Sequence, residues 1–257
     1  MRSIPKIIHY CWFGGNPLPT DVQKFIDSWK EHMPDYEIRE WNESNFDLEN
    51  TIPYVKEAYT AKKYAFVSDY VRIWALYNYG GVYFDTDVCV LKPFEDCLED
   101  ASLVTGFESD RSLLTAFIAC EMKHPIIKAF LESYQDRRFV TTDGKYDMTV
   151  INVGFSSLLE KNGVDLDRDE SQVVPIHAET KDALQPIRIY PRDVFCGFDV
   201  KNWHTDMTPY TRTVHYMSGS WVDGKMTVKK KIIKLMHLII GEKGYDSLRK
   251  FKKSLRK

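Results

Sequence analysis

The stretch Tyr64–Leu91, YAFVSDYVRIWALYNYGGVYFDTDVCVL, decides the fold, because its residue pattern changes period partway along. From Phe66 to Tyr79 the apolar residues Val67, Val71, Trp74 and Ala75, with Tyr70, Ile73 and Tyr77 beside them, recur at helical spacing. That spacing predicts a largely buried helix. Gly80-Gly81 ends it, since a glycine just past the last turn takes the left-handed conformation without a Cβ penalty. Val82-Tyr83-Phe84 is β-branched and aromatic and predicts a short buried strand ending in Asp85-Thr86-Asp87.

In a strand, residues i and i+2 point to one face, so Asp85 and Asp87 are expected side by side where the strand meets solvent. Two such carboxylates repel, and the pair is relieved by sharing a proton or by a divalent cation; hard oxygen ligands select magnesium, manganese or calcium. A bare D-x-D also occurs in solvated loops, and what sets this one apart is its surroundings. Asp69 and Arg72 lie three apart on one face of the preceding helix, as a structural ion pair or as paired ligands for hydroxyl groups.

Outward from this centre, Ile4–Trp12 (IPKIIHYCW) reads as a central strand running into a Gly14-Gly15-Asn16-Pro17 turn. Strand-to-loop junctions are where α/β sheets bind nucleotides. Thr20-Asp21 supplies an N-cap for a helix whose apolar face is Val22, Phe25, Ile26 and Trp29. Tyr36–Trp41 alternates as a strand, and Pro53 opens a helix over Tyr54–Lys62. Leu103–Glu108 is a strand candidate; Leu114–Glu121 is apolar and reads as strand or helix. Helices are expected over Pro125–Tyr134 and from about Thr149 to Leu159.

At 257 residues and 44% apolar composition the chain can bury one sizeable core. No run approaches the eighteen or so apolar residues of a transmembrane span, and MRSIPKIIHY lacks the apolar region of a signal peptide. Five cysteines, at 11, 89, 97, 120 and 196, form no C-x-x-C pair, so reduced thiols and a cytoplasmic location are expected. Net charge is −2, but residues 225–257 hold twelve Lys or Arg against Glu242 and Asp246, a net +10 that leaves −12 for residues 1–224. We therefore divide the chain into an acidic globular domain, residues 1–224, and a basic amphipathic helical tail, residues 225–257. Val228, Ile232, Leu235, Met236 and Ile239 form one apolar face of that tail, which suits either an interfacial helix or a terminal helix packed on the acidic body.

The run Ser68-Asp69-x-x-Arg72, then Gly80-Gly81-x-Tyr83-x-Asp85-x-Asp87, resembles the signature of the DXD-containing sugar transferases of glycosyltransferase family 32. That family includes relatives of bacterial capsule and O-antigen transferases, yeast mannosyltransferases and clostridial glucosylating toxins. The resemblance implies an α/β fold of GT-A type, a nucleotide-diphosphate sugar as donor (a UDP-sugar in the toxin relatives) and a divalent metal, Mn2+ or Mg2+, on Asp85 and Asp87. By the same resemblance Asp69, Arg72 and Tyr83 line the donor site, and Trp12 stacks on the uracil base where the alternative is an aromatic packed in the core. Asn152 falls where related transferases line the sugar pocket, or else caps its helix. Thr213–Trp221 (TVHYMSGSW) resembles the closing element of the family, so His215 and Ser220 are expected to complete the metal site and Trp221 to meet the diphosphate. A lone histidine is otherwise a packed or surface residue.

The activity implied is retaining transfer of a hexose or N-acetylhexosamine to a saccharide acceptor, lipid-linked in related surface-polysaccharide pathways. The tail would then hold the enzyme at the anionic inner face of the membrane. No nucleic acid is implied. Two rivals differ in class. A haloacid-dehalogenase-like phosphohydrolase also carries a strand ending in D-x-D, with Asp85 as nucleophile, but its fifth motif position is Thr or Val where this chain has Cys89, and the motif here lies far from the N-terminus. A non-catalytic membrane adaptor leaves the cluster of Asp69, Arg72, Asp85 and Asp87 unexplained.

Overall fold

The computed structural model describes residues 3–176, 184–199 and 204–217, all within the first of the two units into which the chain divides, Met1–Ser218. The tail expected over residues 225–257, Ser220 and Trp221 lie outside the described residues. In chain order the elements are β1 (Ile7–Cys11), α1 (Thr20–His32), β2 (Glu37–Trp41), α2 (Pro53–Thr60), α3 (Tyr64–Tyr79), β3 (Gly81–Phe84), β4 (Val88–Val90), α4 (Glu95–Leu98), β5 (Leu103–Ser109), β6 (Ser112–Leu113) and β7 (Phe117–Cys120). They continue with α5 (Pro125–Glu132), α6 (Ile151–Lys161), β8 (Gln172–Val174), β9 (Ile187–Tyr190), α7 (Arg192–Phe195), β10 (Phe198–Asp199), β11 (His204–Thr205) and β12 (Thr213–His215).

The main sheet runs β2-β1-β3-β7-β5-β9-β8, with β6 added to β5. β1 is parallel to both β2 and β3, β5 is parallel to β9, and β7 is antiparallel to both of its neighbours, β3 and β5. Strands β1, β2, β3 and β5 therefore all end at the same edge. The alternation of β3 sorts its side chains between two cores: Val82 and Phe84 join Ile8, Tyr10 and Trp29 on one face, and Tyr83 joins Val71, Ile73 and Leu76 of α3 on the other. This helix-flanked mixed sheet is the α/β architecture expected of a GT-A fold. Leu114–Glu121, readable either way in sequence, contributes the strand β7, because both its faces are covered and it pairs on both sides.

Three local expectations are corrected. Thr20 is the first helical residue of α1, and the cap position is Pro19, which offers no side-chain acceptor. Likewise Val150, not Asn152, precedes α6. Gly80 closes α3 as foreseen, its amide donating to Leu76 O at 2.8 Å, but its φ of 65° with ψ of −160° lies in the glycine-only region beyond the left-handed helix. Gly81 (φ 93°) is held more tightly still, since a Cβ there would sit 2.5 Å from the carbonyl oxygen of Ile7 in β1. Gly81→Ala is expected to lower the unfolding free energy by about 1–3 kcal/mol from backbone conformation alone, with the clash added. An unchanged urea midpoint would contradict this reading of the junction.

A second, two-stranded ribbon pairs β4 with β12, setting Val88 opposite His215 and Val90 opposite Thr213. It is extended by Tyr216, whose amide donates to Asp87 O at 3.0 Å. This ribbon brings the end of the described chain to the D-x-D.

Candidate active site

The carboxyl edge of β1, β3 and β5 carries Trp12, Asp85 and Glu108 respectively, the side of an α/β sheet where ligands bind. Asp85 and Asp87 do not alternate along a strand as expected. β3 ends at Phe84, and Asp85-Thr86-Asp87 forms a turn closed by Val88 N donating to Asp85 O at 3.1 Å. The turn lets the two carboxylates meet different cations. Arg72 Nη2 lies 3.1 Å from Asp85 Oδ1, and His215 Nε2 lies 3.2 Å from Asp87 Oδ1.

Arg72 is a hub of this site. Its guanidinium donates to Asp69 Oδ1 at 2.9 Å and to the carbonyl of Thr115 at 2.8 Å, and stands 4.6 Å over the Tyr83 ring. Asp69 and Arg72 thus form the ion pair that their spacing allowed, buried between α3 and the sheet. Burial pushes the Asp69 carboxyl up to about 6, with Arg72 opposing and Asp85 reinforcing the rise. Arg72 is disfavoured as a cation by the same burial, yet Asp85, Tyr83 and Asp69 together hold it more firmly charged than a free guanidinium. Tyr83 is only 2% exposed, so it reaches the site as the floor beneath Arg72 rather than as an open face for a nucleotide.

His215 is buried and sits between two carboxylates, Asp87 through Nε2 and Glu108, 3.7 Å from Nδ1. Burial disfavours the imidazolium, but Asp87 outweighs it by charge and by hydrogen bond, and the imidazole stays protonated well above its usual range. Oxygen atoms of Asp85 and Asp87 and a nitrogen of His215 all lie within 4.8 Å of one another. Two carboxylates and one imidazole fit a divalent cation, and the nitrogen favours manganese over magnesium.

Trp12 is half-buried just past β1; its indole donates to Asn16 O at 2.7 Å, and its amide donates to Trp41 O at 2.9 Å. It packs on the core by one side. Asn152 comes to the site from the first turn of α6, where its amide nitrogen donates to Glu108 Oε2 at 3.0 Å and Leu113 O at 2.8 Å. Glu108 was missed in the sequence. Its only signal was an acid at the end of a buried strand, in a run read for its apolar residues. The five cysteines are free, as expected. A separate open cavity of about 280 Å3, built on Tyr70 and Trp74 of α3 and the loop carrying Phe46, Asp47 and Thr51, contains none of the D-x-D residues.

Comparison with known proteins bears directly on this edge. Residues 19–104 match the family described as the glycosyltransferase sugar-binding region containing DXD motif. Two curated relatives are from Schizosaccharomyces pombe. Inositol phosphoceramide mannosyltransferase 1 is 25% identical over 164 residues, 60% of this chain and 50% of that protein. Inositol phosphoceramide mannosyltransferase 3 is 34% identical over 92 residues, 34% of this chain and 25% of that protein. The chain thus spans half or less of the curated relatives it matches. Among solved structures, PaToxG glycosyltransferase aligns at a TM-score of 0.48 and 18% identity over 62% of this chain and 69% of that one, too distant to bear on substrate.

Proposed function

We propose that this chain, whose residues 19–104 match the DXD-containing sugar-binding region of glycosyltransferases, is a metal-dependent, retaining hexosyltransferase. In this reading it moves a hexose or N-acetylhexosamine from a UDP-sugar to a saccharide acceptor, lipid-linked, in the synthesis of a surface polysaccharide. The observation that carries the reading is the convergence of Asp85, Asp87 and His215 beside the buried Asp69–Arg72 pair at the carboxyl edge of the sheet.

Asp85, Asp87 and His215 would hold the metal, with Ser220 as a further ligand from beyond the described residues. A divalent cation bound there supplies Lewis-acid stabilisation of the departing diphosphate. Asp69 and Arg72 hold the donor sugar by its hydroxyls, and because they already fix each other, donor binding is converted into orientation. Trp12 stacks on the base, and Trp221 meets the diphosphate. No side chain at the edge stands out as a nucleophile. The acceptor hydroxyl attacks from the face the diphosphate leaves: its oxygen bonds to the anomeric carbon, the bond from that carbon to phosphate breaks, and the hydroxyl proton passes to the leaving phosphate oxygen. Residues 225–257, at net +10, would hold the enzyme at an anionic cytoplasmic membrane face, where basic residues contribute about 1 kcal/mol each. No helix among the described residues is long and apolar enough to cross a membrane.

The names of the curated relatives favour a second reading of the donor, nucleotide-linked mannose. A panel of UDP-sugars and GDP-mannose, each with manganese, scored for slow hydrolysis without acceptor, separates the two. Turnover of a UDP-sugar supports the first reading, turnover of GDP-mannose alone moves the donor to mannose, and metal-independent or absent turnover of every donor contradicts the assignment.

Two expected results test the parts. Trp12→Ala should weaken UDP binding by about 1–3 kcal/mol, the range for loss of a stacking aromatic; a fall in unfolding temperature with unchanged affinity would make Trp12 a core residue only. Because His215 keeps its proton above the usual imidazole range, metal binding must expel that proton. Manganese affinity, read by electron paramagnetic resonance, should therefore rise about tenfold per pH unit until the folded-state value is passed. His215→Gln should flatten the dependence. A flat wild-type profile would remove His215 from the ligand set.

A further inference from the structure

Polar contacts run from the first aspartate of the D-x-D round to the second. Arg72 Nη2 meets Asp85 at 3.1 Å, and Arg72 Nη1 donates to the carbonyl of Thr115 at 2.8 Å. Thr115 Oγ1 donates to Asn152 Oδ1 at 3.2 Å, and Asn152 Nδ2 donates to Glu108 Oε2 at 3.0 Å. Glu108 Oε1 faces His215 Nδ1 at 3.7 Å, and His215 Nε2 faces Asp87 Oδ1 at 3.2 Å. The ring joins the residues assigned to the sugar with those assigned to the metal, and Glu108 is its one ionisable member to which no role has been given.

We propose that Glu108 is a positioning residue for the metal site: its carboxylate accepts a hydrogen bond from the Nδ1–H of His215 and so fixes the imidazole with Nε2 turned toward Asp87 and the cation. The inference rests on the reading of Asp85, Asp87 and His215 as metal ligands. A histidine that binds through one nitrogen carries its proton on the other, and that N–H needs an acceptor to hold ring and tautomer. Nδ1 of His215 is buried and makes no hydrogen bond of ordinary length among the described residues; the Cys196 thiol also lies against the ring, and Glu108 Oε1 is the carboxylate that Nδ1 faces. Closing 3.7 Å to a hydrogen bond needs a movement of about half an ångström.

The carboxylate is braced for this task. Its other oxygen is held by Asn152, and Asn152 is itself fixed by Leu113 O at 2.8 Å and by the Thr115 hydroxyl. The amide assignment is forced, since one end faces a carboxylate and a carbonyl and must be the donor. Asn152 thereby acts behind Glu108, at one remove from the donor sugar.

The test measures manganese affinity in the presence of UDP, by electron paramagnetic resonance, for wild type, Glu108→Ala, Glu108→Gln, His215→Ala and the double variant. Glu108→Ala should weaken manganese about 10- to 100-fold, the usual cost of losing a partner behind a metal-bound histidine. Glu108→Gln should recover part of the loss, since its amide oxygen can still accept from Nδ1 while its amide nitrogen opposes Asn152. In the His215→Ala background, removing Glu108 should change affinity no further. Nitrogen-15 spectra of the magnesium–UDP complex should show Nδ1 of His215 protonated in wild type and a mixed population in Glu108→Ala. Wild-type affinity in Glu108→Ala, or an equal loss with and without His215, overturns the positioning role; the second outcome would make Glu108 a direct ligand. Should Glu108→Ala fail to fold, Glu108→Gln with the tautomer reading decides the matter. Failure of wild type to bind manganese with UDP would instead sink the metal site on which the inference stands.

Discussion

Asp87→Asn is expected to cut metal-dependent transfer about 10²- to 10³-fold, the scale on which one preorganised stabiliser of transition-state charge acts. Manganese-supported UDP binding should fall with it. The side chain lies in a turn at the sheet edge, and its neutralisation leaves His215 with Glu108 as a remaining anionic neighbour, so the fold should persist. Asp85→Asn should remove turnover to the same extent but for two reasons, because Asp85 also neutralises buried Arg72 at 3.1 Å. Adjacent carboxylates in a sequence suggest that removing either would relieve repulsion and stabilise the protein. Here each already has its own cation, so no such gain is expected, and a loss of stability is expected at Asp85. Unfolding midpoints for the two variants, beside kcat/KM with manganese, check both halves.

The largest loss of stability is expected from Arg72→Ala. The guanidinium is nearly inaccessible and is shared by Asp69, Asp85 and the Thr115 carbonyl. Removing it leaves the buried Asp69 carboxylate with only Arg137 as a cation acting on it and strips part-exposed Asp85 of its partner, a change that costs about 3–5 kcal/mol when one partner of a buried pair is deleted. Arg72→Lys keeps the charge, but an ammonium on a flexible stem cannot span three acceptors in the plane of a fork or lie flat over Tyr83. It should fall between wild type and alanine. Urea unfolding of the three proteins at one pH gives the ranking; an alanine variant within 1 kcal/mol of wild type would show that Arg72 does not hold the buried ion pair described.

Much of this site was legible because its chemistry is local. Helical spacing over Phe66–Tyr79, the glycine pair and the apolar run before Asp85 place Asp69, Arg72, Asp85 and Asp87 close together in the chain, and the structure joins Asp69 and Asp85 through Arg72 while Asp87 turns to His215. What could not be read is what long-range pairing supplies. His215 was expected at the metal from the family resemblance alone; it reaches Asp87 through a three-residue ribbon whose register no local pattern announces. Glu108 and Thr115 depend on β5 and β7 flanking each other, and Thr115 contributes a backbone carbonyl, which no side-chain motif records. Strand-face alternation misplaced Asp85 and Asp87 for a related reason. The strand stops at Phe84, before either aspartate, so the turn rather than the pleat aims them.

The assignment of Asp85, Asp87 and His215 as a metal–diphosphate site is tested most directly by anomalous diffraction at the manganese edge from crystals grown with manganese and UDP. A single peak bonded to Asp85 or Asp87, with His215 in the same coordination sphere and the UDP phosphates on its open side, is the predicted result. UDP bound at the carboxyl edge with no anomalous peak among these three residues, or a peak held by other side chains, would contradict it.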